Sequence, residues 1–126
     1  MKPKILSIDT SRPLRIMQMT DLHLRELPDW ETRVSSERLV REAIEAMKPD
    51  FIAVTGDLQI SRRPVETARD FCKIIDAYQI PWGFCFGNHD RDLISDERAL
   101  ETPFLESPYC LYRNDIPEIT GYGNYN

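Results

Sequence analysis

The chain has 126 residues, of which 41% are hydrophobic and 29% charged, and its formal net charge at pH 7 is −5. This length allows one domain with a real core and argues against several domains. The acidic balance gives no nucleic-acid-binding signature, because binding to a phosphate backbone requires clustered Lys and Arg.

Cysteine usage and hydropathy indicate the compartment. The three cysteines form no CxxC pair, and Cys72 and Cys85 have apolar neighbours, so we expect reduced thiols and burial of these two side chains. No apolar run reaches the length of a membrane segment, and the first residues lack the apolar stretch of a signal peptide. The prediction is a cytoplasmic protein without a membrane segment.

The first half of the chain alternates predicted strands and helices. Residues 4–9 (KILSID) and 14–19 (LRIMQM) alternate apolar with other residues and predict two strands joined by a turn. Residues 36–48 have apolar side chains at helical spacing, and Pro49 ends this predicted helix. Residues 51–55 (FIAVT) form a short apolar run, which is typical of a strand buried on both faces.

The second half continues the alternation and then weakens. A helix is predicted to begin at Pro64, and residues 80–86 (IPWGFCF) predict another buried strand. Beyond that strand, Ser95 is the expected cap of a short helix that Pro103 breaks, and residues 109–113 (YCLYR) are a further candidate strand. Strand, helix, strand, helix, strand is the pattern of a parallel α/β sheet with right-handed crossovers.

Polar side chains follow three predicted strands, at the point where each strand ends. Asp21 and His23 follow the first, Asp57 follows the second, and Asn88 and His89 follow the third. Because sites in open α/β sheets lie outside the carboxyl ends of the strands, we expect these side chains at one edge. Carboxylate, imidazole and amide groups together suit borderline divalent metals such as Mn, Fe or Zn. A carboxylate on the middle strand is placed to bridge two such ions.

The motifs DLH, GD and GNHD, in this order over residues 14 to 90, resemble the first three motifs of the calcineurin-like metallophosphoesterases. The resemblance implies that Asp21 and His23 bind one metal, that Asp57 bridges two metals, and that Asn88 binds the second. It gives His89 the role of protonating the leaving oxygen. The implied cofactors are two divalent metal ions, with Mn, Fe and Zn all open.

The same resemblance implies a fold and a reaction. The fold would be the parallel βαβαβ half of a four-layer α/β/β/α sandwich. The reaction would be hydrolysis of a phosphate ester, by direct attack of a metal-bound hydroxide on phosphorus, with a phosphorylated substrate whose class the sequence leaves open. Two roles are open for Asp90, which are to orient His89 or to fix the turn. Arg91 is a candidate for contacting the substrate phosphate, as are Arg62 and Arg63, although a solvated arginine is the commoner case for each.

The chain also departs from the family pattern. Relatives complete the site with later histidines, and this sequence has none after His89, so by ligand count the second ion keeps only Asp57 and Asn88. Residues 1–126 are therefore predicted to be the N-terminal part of a single phosphoesterase domain, inactive alone but part of an enzyme. The alternatives are a catalytically incomplete half-domain that acts as a binding or assembly module, and a metal-free domain.

A smaller departure concerns the support of the catalytic histidine. Many relatives carry an Asp three residues after the bridging one, where it orients this histidine, and here the position is Ile60. Support for His89 must then come from elsewhere, with Asp90 and Asp92 as candidates, or be weaker.

Overall fold

Three parallel strands joined by helical crossovers form the sheet in a computed structural model that describes residues 4–26, 30–93, 96–116, 118–121 and 123. The elements in chain order are β1 (Ile16–Met19), α1 (Trp30–Met47), β2 (Phe51–Val54), α2 (Pro64–Asp76), β3 (Trp82–Phe84) and α3 (Glu97–Glu106). The strand order is β1-β2-β3, with Ile16 paired to Phe51 and Ile52 paired to Trp82. This architecture confirms the predicted α/β class and its parallel βαβαβ pattern, and among the described residues no helix is long and apolar enough to cross a membrane.

The core is built around the central strand and the aromatic residues of its neighbours. Ile52 and Val54 of β2 are fully buried, as are Trp82 and Phe84 of β3. The ring of Phe84 stacks on Phe104 of α3, with 3.9 Å between ring centroids. Burial of these large side chains, at roughly 1.5–3 kcal/mol each, holds the strand ends at fixed positions.

The helices begin and end for identifiable reasons. The helix α2 begins at Pro64 as predicted, because a proline in the first turn loses no intrahelical hydrogen bond. The helix α1 begins at Trp30, earlier than the predicted Ser36, and ends at Met47 just before Lys48 and Pro49. The boundaries that proline sets were therefore predictable, and the N-terminal turns of α1 were not.

The prediction of a strand over residues 4–9 was wrong. These residues form no strand, and Ile5 is 81% exposed, so the alternating apolar side chains have no core face to cover. The segment is instead attached through Lys4, whose Nζ donates to the carbonyl oxygens of Ser107 and Cys110. Alternation predicts a strand only where one face has something to pack against.

The region after β3 also differs in detail from the prediction. The helix α3 runs through Pro103 to Glu106, because Leu100 and Phe104 on either side are fully buried and their burial offsets the lost backbone hydrogen bond. The side chain of Asp96 caps this helix by accepting from the Arg98 N–H at 3.1 Å. The predicted cap Ser95 lies outside the described residues.

The predicted strand at residues 109–113 is reduced to one parallel bridge. Cys110 pairs with Trp82, supported by hydrogen bonds from the Trp82 N–H to the Tyr109 oxygen and from the Leu111 N–H to the Trp82 oxygen. Among the cysteines, Cys72 is buried as predicted, and its burial raises the pKa of the thiol. The expectation for Cys85 was wrong: this residue follows the end of β3 and is exposed.

Candidate metal centre

The loops that follow β1 and β2 continue side by side beyond the strand ends. The N–H of Asp21 donates to the oxygen of Gly56 at 3.0 Å, and the N–H of His23 donates to the oxygen of Asp57 at 3.1 Å. Leu24, which is buried, closes this ladder by donating to Leu58 at 2.8 Å. The backbone positions of the first two motifs are therefore fixed relative to each other by hydrogen bonds.

These loops hold three side chains in a sparsely populated backbone conformation. Asp21, His23 and Asp57 have φ values of 55°, 47° and 51°, in the left-handed region that side chains rarely adopt. The other described non-glycine residues with positive φ, Lys48 and Gln79, lie within three residues of helix ends, where this conformation is common. Backbone strain of this kind concentrates at functional sites, so its presence at all three motif residues marks this edge of the sheet.

The three side chains form a compact cluster of metal-ligating groups. One ligand atom from each of Asp21, His23 and Asp57 lies within 4.8 Å of the others. The Nε2 of His23 is 3.7 Å from Asp57 Oδ2 and 3.9 Å from Asp21 Oδ1. This nitrogen is buried and has no hydrogen-bond partner among the described residues. An unsatisfied imidazole nitrogen that faces two carboxylates fits a divalent cation, because the cation would satisfy all three groups at once.

The loop after β3 packs directly against the Asp57 carboxylate. A Cβ on Gly87 would lie 2.1 Å from Asp57 Oδ1, and a Cβ on Gly56 would lie 2.6 Å from the Gly87 nitrogen, so both positions require glycine. The N–H of His89 donates to the same Asp57 Oδ1 at 2.9 Å. Asn88, an exposed residue between Gly87 and His89, therefore lies next to Asp57 at the edge of the cluster.

Asp90 binds the backbone of two loops. Its carboxylate is 2% exposed and accepts hydrogen bonds from the N–H groups of Asp57 (2.9 Å), Leu58 (2.8 Å), Gln59 (3.3 Å) and Gly87 (2.7 Å). Burial raises the pKa of the Asp90 carboxyl, and the four N–H groups act in the opposite direction. Of the two roles open for Asp90, these contacts describe the fixing of the turn.

His89 is held by Asp92 from the same turn. Its Nδ1 lies 2.6 Å from Asp92 Oδ2, and the Asp92 N–H donates to the His89 carbonyl at 3.1 Å. The hydrogen bond to Asp92 raises the pKa of the His89 imidazole. The ring of His89 lies edge-on to that of His23, with centroids 5.8 Å apart. Both histidines of the chain thus lie at the same site.

The arginine candidates lie at the surface. Arg91 is exposed in the turn between Asp90 and Asp92, and its assignment to the substrate phosphate stays a prediction. Arg62 donates its N–H to Glu26 at 2.8 Å. Arg63 pairs with a glutamate of α2 at 3.3 Å. The structure therefore gives Arg62 and Arg63 local partners.

Sequence reasoning missed one buried polar residue of the site. Gln59 donates through Nε2 to the Asp90 carbonyl at 2.6 Å and accepts from the Ser61 N–H at 2.8 Å. Its side chain therefore ties the second loop to the third. Nothing in the local sequence distinguishes it from an exposed loop glutamine.

Known proteins share the motifs of this site. The calcineurin-like phosphoesterase family model matches residues 14–125 of the chain. The chain is 31% identical over 137 residues to probable inactive purple acid phosphatase 28 of Arabidopsis thaliana, and 27% identical over 130 residues to phosphatase DCR2 of Saccharomyces cerevisiae. Both alignments cover 88% of this chain but only 34% and 22% of the relatives, so the chain spans about a third of their length or less.

A solved structure, the nuclease MPE of Pseudomonas putida, is similar over 68% of this chain and 44% of its own, with a TM-score of 0.49 and 18% identity.

Proposed function

The chain belongs to the calcineurin-like phosphoesterase family, and from that premise we propose that it contributes a divalent-metal centre to the hydrolysis of phosphate esters. The observation that carries the proposal is the cluster of Asp21, His23 and Asp57, with the buried, unpartnered Nε2 of His23 facing two carboxylates. The yeast relative is named a phosphatase and the plant relative a probable inactive one, so activity needs a direct test.

In this proposal the side chains divide the ligand positions between two ions. Asp21, His23 and Asp57 would hold the first, and Asp57 and Asn88 would hold the second. Divalent ions held there would supply Lewis-acid chemistry and an activated water for attack on phosphorus. The chain's own contribution is to fix the Asp57 carboxylate, whose Oδ1 accepts from the His89 N–H while Oδ2 faces His23.

His89 is proposed as the proton donor to the leaving oxygen. Its backbone N–H is attached to Asp57, and its ring lies beside that of His23, so the imidazole borders the position where a phosphoryl group would bind. Asp92 raises the pKa of His89, which favours the protonated form that a general acid requires. Arg91, exposed in the same turn, is proposed to contact the phosphate.

Metal binding by the chain tests the proposed ligands directly. We expect one Mn²⁺ to bind more tightly than any second, because three ligands converge on the first position. Asp57→Asn and His23→Gln should each weaken this binding by more than the ~10–100-fold that loss of an outer-shell partner costs. Titration calorimetry measures both constants, with Asp115→Asn, an exposed aspartate paired to Arg113, as the matched control. Unchanged Mn²⁺ affinity in Asp57→Asn would remove Asp57 from the ligand set.

A second expectation concerns turnover by the 126-residue chain. It should hydrolyse 4-nitrophenyl phosphate little or not at all with added Mn²⁺, because the second ion has only Asp57 and Asn88 as ligands here. The same assay on the product of the complete reading frame distinguishes an enzyme from a binding or assembly module. Robust Mn²⁺-dependent turnover by the 126 residues would show that the ligand count is wrong.

A further inference from the structure

We propose that Asp92 is the positioning residue of His89, holding the imidazole through Nδ1 so that Nε2 is presented to the substrate. The inference rests on the proposed function, in which His89 protonates the leaving oxygen. It assigns the orientation of the catalytic ring to a residue three positions along the same turn.

The geometry of the turn makes Asp92 part of the support of His89. Asp92 Oδ2 lies 2.6 Å from Nδ1, the shortest of the three contacts that fix this residue. The others are the His89 N–H to Asp57 Oδ1 at 2.9 Å and the Asp92 N–H to the His89 oxygen at 3.1 Å. The backbone of His89 is thus attached to the metal cluster and its ring to Asp92. A carboxylate at Nδ1 fixes both the ring orientation and the tautomer, which leaves Nε2 for the substrate.

The neighbouring candidates have other roles. Ile60 occupies the position where an aspartate would be expected to orient this histidine, and it has no polar side-chain atom. Asp90 is buried and its carboxylate accepts from backbone N–H groups of two loops. Asp92, by contrast, is 48% exposed and His89 is 47% exposed, so Asp92 can be changed without opening the core.

The tautomer of His89 is the first readout, and it needs neither metal nor substrate. With only two histidines in the chain, ¹⁵N-histidine labelling gives two sets of ring signals, and His89→Gln assigns them. At alkaline pH, where both imidazoles are neutral, we expect His89 to carry its proton on Nδ1. In Asp92→Ala the ring should change to the Nε2–H form that free histidine favours, while the His23 signals stay in place. Asp115→Ala, which removes another exposed aspartate, should leave both rings unchanged.

Kinetics on the product of the complete reading frame give the second readout. Asp92→Ala should lower kcat for an alkyl phosphate by ~10–100-fold, the usual cost of losing an orienting partner, with KM unchanged. The loss should be smaller for 4-nitrophenyl phosphate, whose leaving group needs less protonation. In a His89→Ala background, Asp92→Ala should cost nothing further, because the two residues act as one unit.

The outcomes separate this inference from the proposed function. If Asp92→Ala leaves the His89 tautomer at Nδ1–H, or costs as much without His89 as with it, the positioning role is overturned. If the wild-type protein shows no metal-dependent hydrolysis but the tautomer changes as expected, Asp92 positions His89 and the proposed activity fails.

Discussion

Asp57→Asn should abolish metal-dependent turnover of every phosphate ester, whereas His89→Ala should slow only those reactions whose leaving group needs a proton. The two residues are in direct contact, since the His89 N–H donates to Asp57 Oδ1 at 2.9 Å, yet the proposal gives them different work. Asp57 is the only candidate ligand shared by both proposed ions, and its Oδ2 lies 3.7 Å from His23 Nε2. Removing its charge should therefore empty at least one metal position.

His89→Ala leaves the three clustered ligands intact and should leave the bound metal near its wild-type level. Loss of a positioned general acid typically lowers the rate by ~10²–10⁴-fold. We expect this loss for an alkyl phosphate and a much smaller one for 4-nitrophenyl phosphate. The backbone N–H of residue 89 still donates to Asp57 in the alanine variant, so the loop has no reason to move.

Metal content by elemental analysis, measured beside rates on the two substrates in the product of the complete reading frame, makes the comparison. Asp115→Asn controls for the loss of a surface carboxylate and should match the wild type in both measurements. Loss of metal in His89→Ala as complete as in Asp57→Asn would mean that His89 is a ligand, and the division of roles within GNHD would be wrong.

The fold and the meeting of the motifs were predictable because they depend on short-range patterns. Apolar runs over residues 51–55 and 80–86 gave two of the strands, and Pro64 gave the start of α2. Parallel strands bring their carboxyl ends to one edge, so spacing along the chain was enough to place Asp21 near Asp57.

The parts that could not be predicted depend on contacts between distant segments. Asp90 and Gln59 look like ordinary loop residues in sequence, and their roles exist only because the second and third loops pack together. The exposure of residues 4–9 likewise follows from the lack of a core beneath them, which no periodicity reveals. Asp92 is intermediate, since it was one of two candidates to support His89 and the hydrogen bond at 2.6 Å selects it.

Asp90→Ala should strongly destabilise the fold, although Asp90 is not expected to touch metal or substrate. Its carboxylate satisfies four backbone N–H groups, on Asp57, Leu58, Gln59 and Gly87, in a setting where the side chain is 2% exposed. A buried donor left without a partner costs ~1–3 kcal/mol. Water entering the space left by the side chain satisfies part of this set, so we expect a total loss of about 3–5 kcal/mol.

Urea and thermal unfolding measure this loss. For a domain of this size, about 3–5 kcal/mol corresponds to a decrease in Tm of ~10–20 °C. The matched control is Asp50→Ala, because Asp50 also accepts several hydrogen bonds, from the Arg12 guanidinium and the Arg15 N–H, but lies at the surface. Its loss should change the midpoint little, since water replaces the carboxylate. Because Asp90 joins the loop of Asp57 to that of Gly87, Asp90→Ala should also weaken Mn²⁺ binding, even at temperatures where the variant is folded. A variant as stable as Asp50→Ala would show that the two loops hold their positions without this carboxylate.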